Sequence, residues 1–337
     1  MSLASVLKRV ICAVLVLTFL ALASLTSAQT QTPSPALLVL NKDDSTLSIV
    51  DPTTLKTVAV IPTGEAPHEI IASDDGKFAF VANYGARTPG NSISMIDLSA
   101  QKELRRVDLG ALRRPHGITF ADGKVWFTAE ANKVIARYDP TTDKIDWVLG
   151  LGQNGTHMLL FSKDNSLLFT SNIGSDSIGL LQRSSDPSGW SALFIPVGKG
   201  PEGGDISPDG REYWAANSGD GTVSVIDVAA KKVTQTLDLH TKHSNRLKFT
   251  PDGKLVFVSD LAGNEVIILD AASRKEIKRL NLGKNPEGIL VAPDGSRAYV
   301  ATAGEKAVAV VDLKTLDVSA RISTGAGPDG LAWAARR

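Results

Sequence analysis

The feature that most constrains this chain is a repeat. Residues 283–312, GKNPEGILVAPDGSRAYVATAGEKAVAVVD, read as one module. A polar turn is followed by the short apolar strand ILVA, the tight turn PDGS, the strand AYVAT and the strand AVAVVD. The same order recurs with drift along the chain. The turn glycine, with Asn165 once in its place, falls at 76, 123, 165, 210, 253 and 295, giving steps of 47, 42, 45, 43 and 42 residues. Units of this length with four short strands and turn signals between them mark propeller blades.

We call the strand after each P-x-G turn A, the strand after the PDG turn B, the strand ending in Asp C, and the next one D. The chain enters at a B strand, LLVLN, and stops just after an A strand, LAWA. Seven A and seven B strands can be counted. LAWA should therefore complete the sheet begun by LLVLN, SIVD and VAVIP, a one-plus-three closure that removes the open edge between first and last blades. The expected fold is all-β: a seven-bladed β-propeller of four-stranded antiparallel blades over residues 36–337. Strands apolar on both faces fit this, because each blade buries both faces on its neighbours.

The first 28 residues read as a targeting segment. Lys8 and Arg9 precede a nearly unbroken apolar run, Val10 to Leu25, and Thr26-Ser27-Ala28 offers small residues for cleavage. This is a secretory signal pattern, and it places the mature protein outside the cytoplasm, periplasmic or secreted. Kept rather than cleaved, it would act as an anchor. Residues 29–35, QTQTPSP, read as a flexible linker. Cys12, the only cysteine, lies inside the apolar run, so the mature chain has no thiol for disulfides, thiolate catalysis or metal. Loss of Lys8 and Arg9 leaves 34 basic residues against 36 acids, a charge of −2. That balance gives no electrostatic case for nucleic acid or, after cleavage, for a membrane. A monomer is expected.

The position between Pro and Gly in the P-x-G turn is the candidate site. In order it holds His68, His116, His157, Glu202, Asn245, Glu287 and Asp329. Strand A is innermost in a propeller blade, so these seven should ring one mouth of the central channel. Three of the five histidines occupy consecutive positions. Imidazoles and carboxylates converging on an axis suit a divalent metal ion, with His68, His116, His157 and Glu202 as ligands. Equally, a polar residue suits a solvated mouth. The ring face would take a small molecule, a peptide or a protein.

A second ring, counted seven residues past each turn glycine, is Asn41, Asn83, Glu130, Asn172, Asn217, Asp260 and Thr302. Its asparagines read as turn residues, and Glu130 and Asp260 depart from them. A third, Asp51, Asp97, Asp139, Gln182, Asp227, Asp270 and Asp312, reads as a series of structural turns at the blade periphery. His240 and His243 lie in a loop expected to be exposed, with no acid partner nearby. Arg113, Arg114, Lys199, Lys242, Arg246 and Lys284 flank ring residues as an anion-binding rim or as solvated loop charges. There is no G-x-S-x-G elbow, Walker loop, H-E-x-x-H or G-x-G-x-x-G on a βαβ unit. There is no C-x-x-C-H for covalent haem.

FVAN, TVSVIDV, NPEGILVAPDGS and AYVAT resemble the repeats of the YVTN family of seven-bladed propellers, YncE-like proteins, from about residue 36 to 337. That resemblance implies the fold and leaves the activity open. The segment PHGITFADGKVWFTAEANKVIARYDPTT also resembles virginiamycin B lyase-type propellers, which use His, Glu and a divalent ion on one face. It implies His116 and Glu130 as catalytic candidates, with His157 beside them, in a metal-dependent lyase or hydrolase. Propellers of the nitrous oxide reductase type carry copper-binding histidines at this mouth, where only three ring positions here are His. The sequence therefore carries two readings: a binding or scaffolding module, and an enzyme.

Overall fold

The computed structural model describes residues 31–184 and 189–336. The signal segment lies outside them. Seven four-stranded antiparallel sheets form the blades, and the closure is the expected one. Blade 1 joins Ala36–Asn41, Thr46–Asp51 and Lys56–Pro62 to the C-terminal strand Pro328–Ala334, with Leu37 paired to both Val50 and Trp333. Blades 2 to 7 are consecutive quartets covering 67–108, 115–150, 156–196, 201–238, 244–281 and 286–323. Among the described residues no helix is long and apolar enough to cross a membrane.

The core is divided by blade interface. Leu38, Leu40 and Ile49 of blade 1 pack on Ile70, Val81 and Ile96 of blade 2. Equivalent clusters fill the other six interfaces, including the one between blade 7 and blade 1, where Tyr299 and Val310 meet Leu37 and Val39. Outer strands such as Lys102–Asp108 alternate exposed and covered residues, because only solvent lies beyond them.

The Asp at the end of the C strand, present in six blades, behaves as a turn residue. Asp51 accepts from the backbone N–H of Thr53 at 2.8 Å, and Asp312 from Lys314 at 2.8 Å. Asn165 stands in for glycine because its short amide tolerates the left-handed backbone, φ +56°.

One expectation needs correction. Residues 32–35 of the proposed linker are held to the propeller. Thr32 is buried and donates to the Leu98 carbonyl, and Arg336 bonds the Thr32 carbonyl and, through its N–H, Ser34 Oγ. Polar composition suggests freedom, but these backbone and hydroxyl groups find partners on blade 2 and at Arg336, just past the last strand.

Candidate functional site

Every inner strand carries a register shift just after its first residue. In blade 3, Pro115 faces Ala129, and regular pairing resumes only at Ile118–Phe127. Such a bulge turns the residue after the proline away from the ladder. In each blade the ring position is the residue after the strand's first one, which is Pro in five blades, Thr156 in blade 4 and Ser244 in blade 6, so the bulge itself aims the ring at the channel mouth.

In three blades a hydroxyl then fixes the ring. Thr128 Oγ1 accepts from Gly117 N at 3.0 Å and donates to the carbonyl of His157, on the next blade, at 2.8 Å. Ser171 relays from Met158 N to the Glu202 carbonyl at 3.1 and 2.6 Å. Ser259 relays from Arg246 N to the Glu287 carbonyl, 2.9 Å each. Gly117, Gly288 and Gly330 follow ring residues because a Cβ there would meet the next blade's backbone at 2.2 to 2.7 Å.

The seven ring residues do gather at one mouth, in two groups. In the first, His68 and His116 lie 5.2 Å apart by centroid, and His116 and His157 stack at 3.6 Å with a 30° tilt. Tyr84 packs on His68 at 4.5 Å and edge-on to His116 at 5.4 Å, and the Arg114 guanidinium caps Tyr84 at 4.5 Å. Glu130 Oε2 receives the Tyr84 hydroxyl and lies against His157 Nδ1, both at 3.2 Å. In the second, Lys42 Nζ bridges Glu287 at 2.8 Å and Asp329 at 3.3 Å. Glu202 stands between blades 4 and 6, with Oε1 at 2.6 Å from Asn245 Nδ2 and Oε2 at 2.9 Å from His243 Nε2.

Beneath the ring, Arg246 of blade 6 crosses the axis to Glu69 of blade 2, Nη2 to Oε1 at 2.6 Å and Nε to the same oxygen at 3.2 Å. Both side chains are nearly buried. Arg246 Nη1 also comes within 3.6 Å of Glu202 Oε1.

Burial sets the protonation of this cluster. It pushes His116 well below the usual imidazole value, helped by the neighbouring His157 and His68, and lowers His68 despite Asp329. It drives Glu287 up to about 8, with the Asp329 charge adding to it and Lys42 opposing. It also raises Glu69 against the pull of Arg246. For Asp329 burial acts upward too, but Lys42, Arg246 and His68 hold it below the usual range. Glu130 and Glu202 are likewise held low against burial, Glu130 mainly by His157 and Glu202 mainly by the His243 hydrogen bond. That bond in turn raises His243.

Several sequence expectations shift. Glu130 is not a member of the second ring. The turn at Asp122-Gly123, with φ of +55° and +73°, is a two-residue hairpin, and Ala121 pairs with Lys124. The turn is two residues shorter than those of other blades and its glycine stands one residue nearer the strand's end, so Ala129 takes the ring register and Glu130 lies one step beyond, level with Lys42 and Tyr84. Its imidazole partner is His157, while His116 stacks rather than bonds. His243 has an acid partner in Glu202. Arg246 is no rim charge but the buried floor of the mouth. The second-ring asparagines brace their own turns: Asn83 bonds Ser92, Ser94 and the Gly64 N–H. Among the described residues no three His, Cys, Asp or Glu side chains are grouped as a metal would need. His116 and His157 face each other ring to ring, and both Glu202 oxygens are occupied.

A model of the YNCE-like beta-propeller family matches residues 1–193, more than half of the chain. The chain belongs to this family. No curated protein matches this YncE-like propeller. Solved structures similar to it include a chain of the hydrazine synthase of Kuenenia stuttgartiensis, 20% identical, TM-score 0.68, covering 79% of this chain and 89% of that one. The periplasmic gluconolactonase of Pseudomonas aeruginosa is 18% identical, TM-score 0.72, covering 90% and 100%. A protein from Lactobacillus plantarum is 15% identical, TM-score 0.73, covering 89% and 99%. At these identities the likeness is one of fold.

Proposed function

We propose that this YncE-like propeller binds a small polar molecule at the channel mouth. One observation carries the reading. Among the described residues seven buried side-chain atoms have no hydrogen-bond partner, and five belong to the mouth: His116 Nδ1, His157 Nε2, Asn245 Oδ1, Arg246 Nη1 and Asp329 Oδ1. Buried polar groups are costly unless paired, so a cluster of unpaired ones marks where an outside molecule supplies partners. By contrast, a 430 Å³ cleft between blades 2 and 3 is lined largely by Phe78, Phe80, Met95 and Phe120, and none of the unpaired atoms lies there.

The test is a thermal-shift screen of sugars, sugar acids, amino acids and nucleosides against wild type and His116→Leu. A compound that raises the wild-type Tm but not the variant's supports the site. If no compound does so, or every hit acts equally on the variant, the reading fails.

The Glu130–His157 contact favours a second reading, acid–base catalysis. Ionised Glu130 can only accept, so His157 Nδ1 donates, and in the neutral tautomer so selected Nε2 is the basic nitrogen. Lactone opening, the chemistry in the name of the P. aeruginosa protein, needs such a base to activate water. A lactonase assay with Glu130→Gln decides it: loss of wild-type turnover supports the reading, and no turnover by wild type ends it.

A further inference from the structure

We propose that the molecule held at the mouth is a neutral polyhydroxylated one, a monosaccharide or sugar alcohol, rather than a sugar acid or a phosphate ester. This rests on the reading of the mouth as a ligand site and adds the ligand's class. It follows from what four of the five unpartnered atoms lack; the fifth, His116 Nδ1, can take either end of a hydroxyl.

Three of the atoms need a donor. With Nδ1 donating to Glu130, the neutral tautomer of His157 presents its lone pair at Nε2. Asn245 commits its Nδ2 to Glu202 at 2.6 Å, which fixes the amide and leaves Oδ1 as an acceptor. Asp329 accepts from Lys42 through Oδ2 and shares a carboxyl hydrogen bond with Glu287, and Oδ1 has no partner of its own. The fourth, Arg246 Nη1, needs an acceptor. These four residues are between 2% and 8% exposed, so bulk water does not simply solvate them.

A hydroxyl donates and accepts, so a run of hydroxyls can serve all four. His157 Nε2 and Arg246 Nη1 lie 3.9 and 3.6 Å from the same Glu202 oxygen, so two neighbouring hydroxyls can reach both. A carboxylate or phosphate brings acceptors. It would satisfy Arg246 and leave the other three atoms unpaired, while facing Glu202 and Asp329 in a poorly solvated site. An ammonium brings only donors and would meet Arg246 and Lys42.

The experiment titrates the purified protein with glucose, sorbitol, glucuronate and glucose 6-phosphate by calorimetry. It follows the histidine side chains by NMR in the same samples. We expect glucose or sorbitol to bind with a Kd of about 1 mM or tighter. The two anions should bind about ten-fold more weakly, and the imidazole signals of His116 and His157 should move. Asn245→Leu should weaken the neutral ligand about ten-fold. If that variant does not fold, the histidine signals alone locate the site. Anions that bind as tightly as the neutral compounds overturn the class and leave the mouth standing as a ligand site. Absence of binding by either neutral compound, or binding that leaves His116 and His157 unmoved, overturns it as well. The ligand-site reading falls too only if the wider screen is also empty.

Discussion

Arg246 and Glu69, 177 residues apart in sequence, meet across the propeller axis with Nη2 and Oε1 2.6 Å apart. The pair spans from blade 6 to blade 2 and forms the floor of the mouth. Breaking it by Glu69→Ala leaves a buried guanidinium without its main partner. We expect a loss of about 3–5 kcal/mol in urea unfolding. The double variant Glu69→Leu/Arg246→Met should cost clearly less, since no charge is stranded. Equal losses in the two would show that packing, not charge pairing, holds this layer.

Thr128 joins two blades through one hydroxyl. Thr128→Val keeps the shape and strands both the Gly117 N–H and the His157 carbonyl. A loss of about 1–3 kcal/mol is expected, read from the denaturation midpoint at unchanged m-value. The imidazole signal of His157 should shift as well, because its backbone anchor is gone.

Glu287 gives the fold a pH dependence of definite sign. Its carboxyl titrates near 8 in the folded protein against 4.5 unfolded, so the native state holds the extra proton between those values. Its contribution is complete below about pH 4.5 and is lost as pH rises through about 8. His68 and His116, lowered by burial, act mainly below pH 7 and in the opposite sense. Urea midpoints at pH 7 and 8 should therefore fall in wild type and fall less in Glu287→Gln. Parallel slopes would remove Glu287 as the cause.

The leader pattern in residues 1–28 predicts export and cleavage after Ala28. Expressed with its leader in a bacterium, the protein should appear outside the cytoplasm with Gln29 as its first residue, as read by mass spectrometry. An intact Met1 terminus in the soluble cell extract would refute this.

The fold and the ring were legible because both follow from the repeat. Each inner strand opens with a bulge, after Thr156 and Ser244 as after the prolines, and the bulge aims one residue per blade at the axis, so counting turns located His68 through Asp329. The site's other half does not repeat. Lys42, Tyr84 and Glu130 share one register, but the other four blades hold Ile173, Ser218, Leu261 and Ala303 there, so no pattern drew attention to it. Glu130 was misplaced by one residue because a two-residue turn replaced a longer one at Asp122-Gly123. The contact of His243 with Glu202, and of Arg246 with Glu69, joins different blades. Such contacts depend on the curvature of the ring, which the sequence of a single unit does not contain.

The way blade 1 is shared between the two ends of the chain also sets a timetable. Lys42 is made early, yet its carboxylate partners follow 245 and 287 residues later. A ribosome must translate through Asp329 before that cluster can exist, and the strand bearing Asp329 is the one that shuts the ring. An exported chain would thus gain its finished mouth and its closed circle in the same event, and a molecule that recognised the mouth would see only circles already shut.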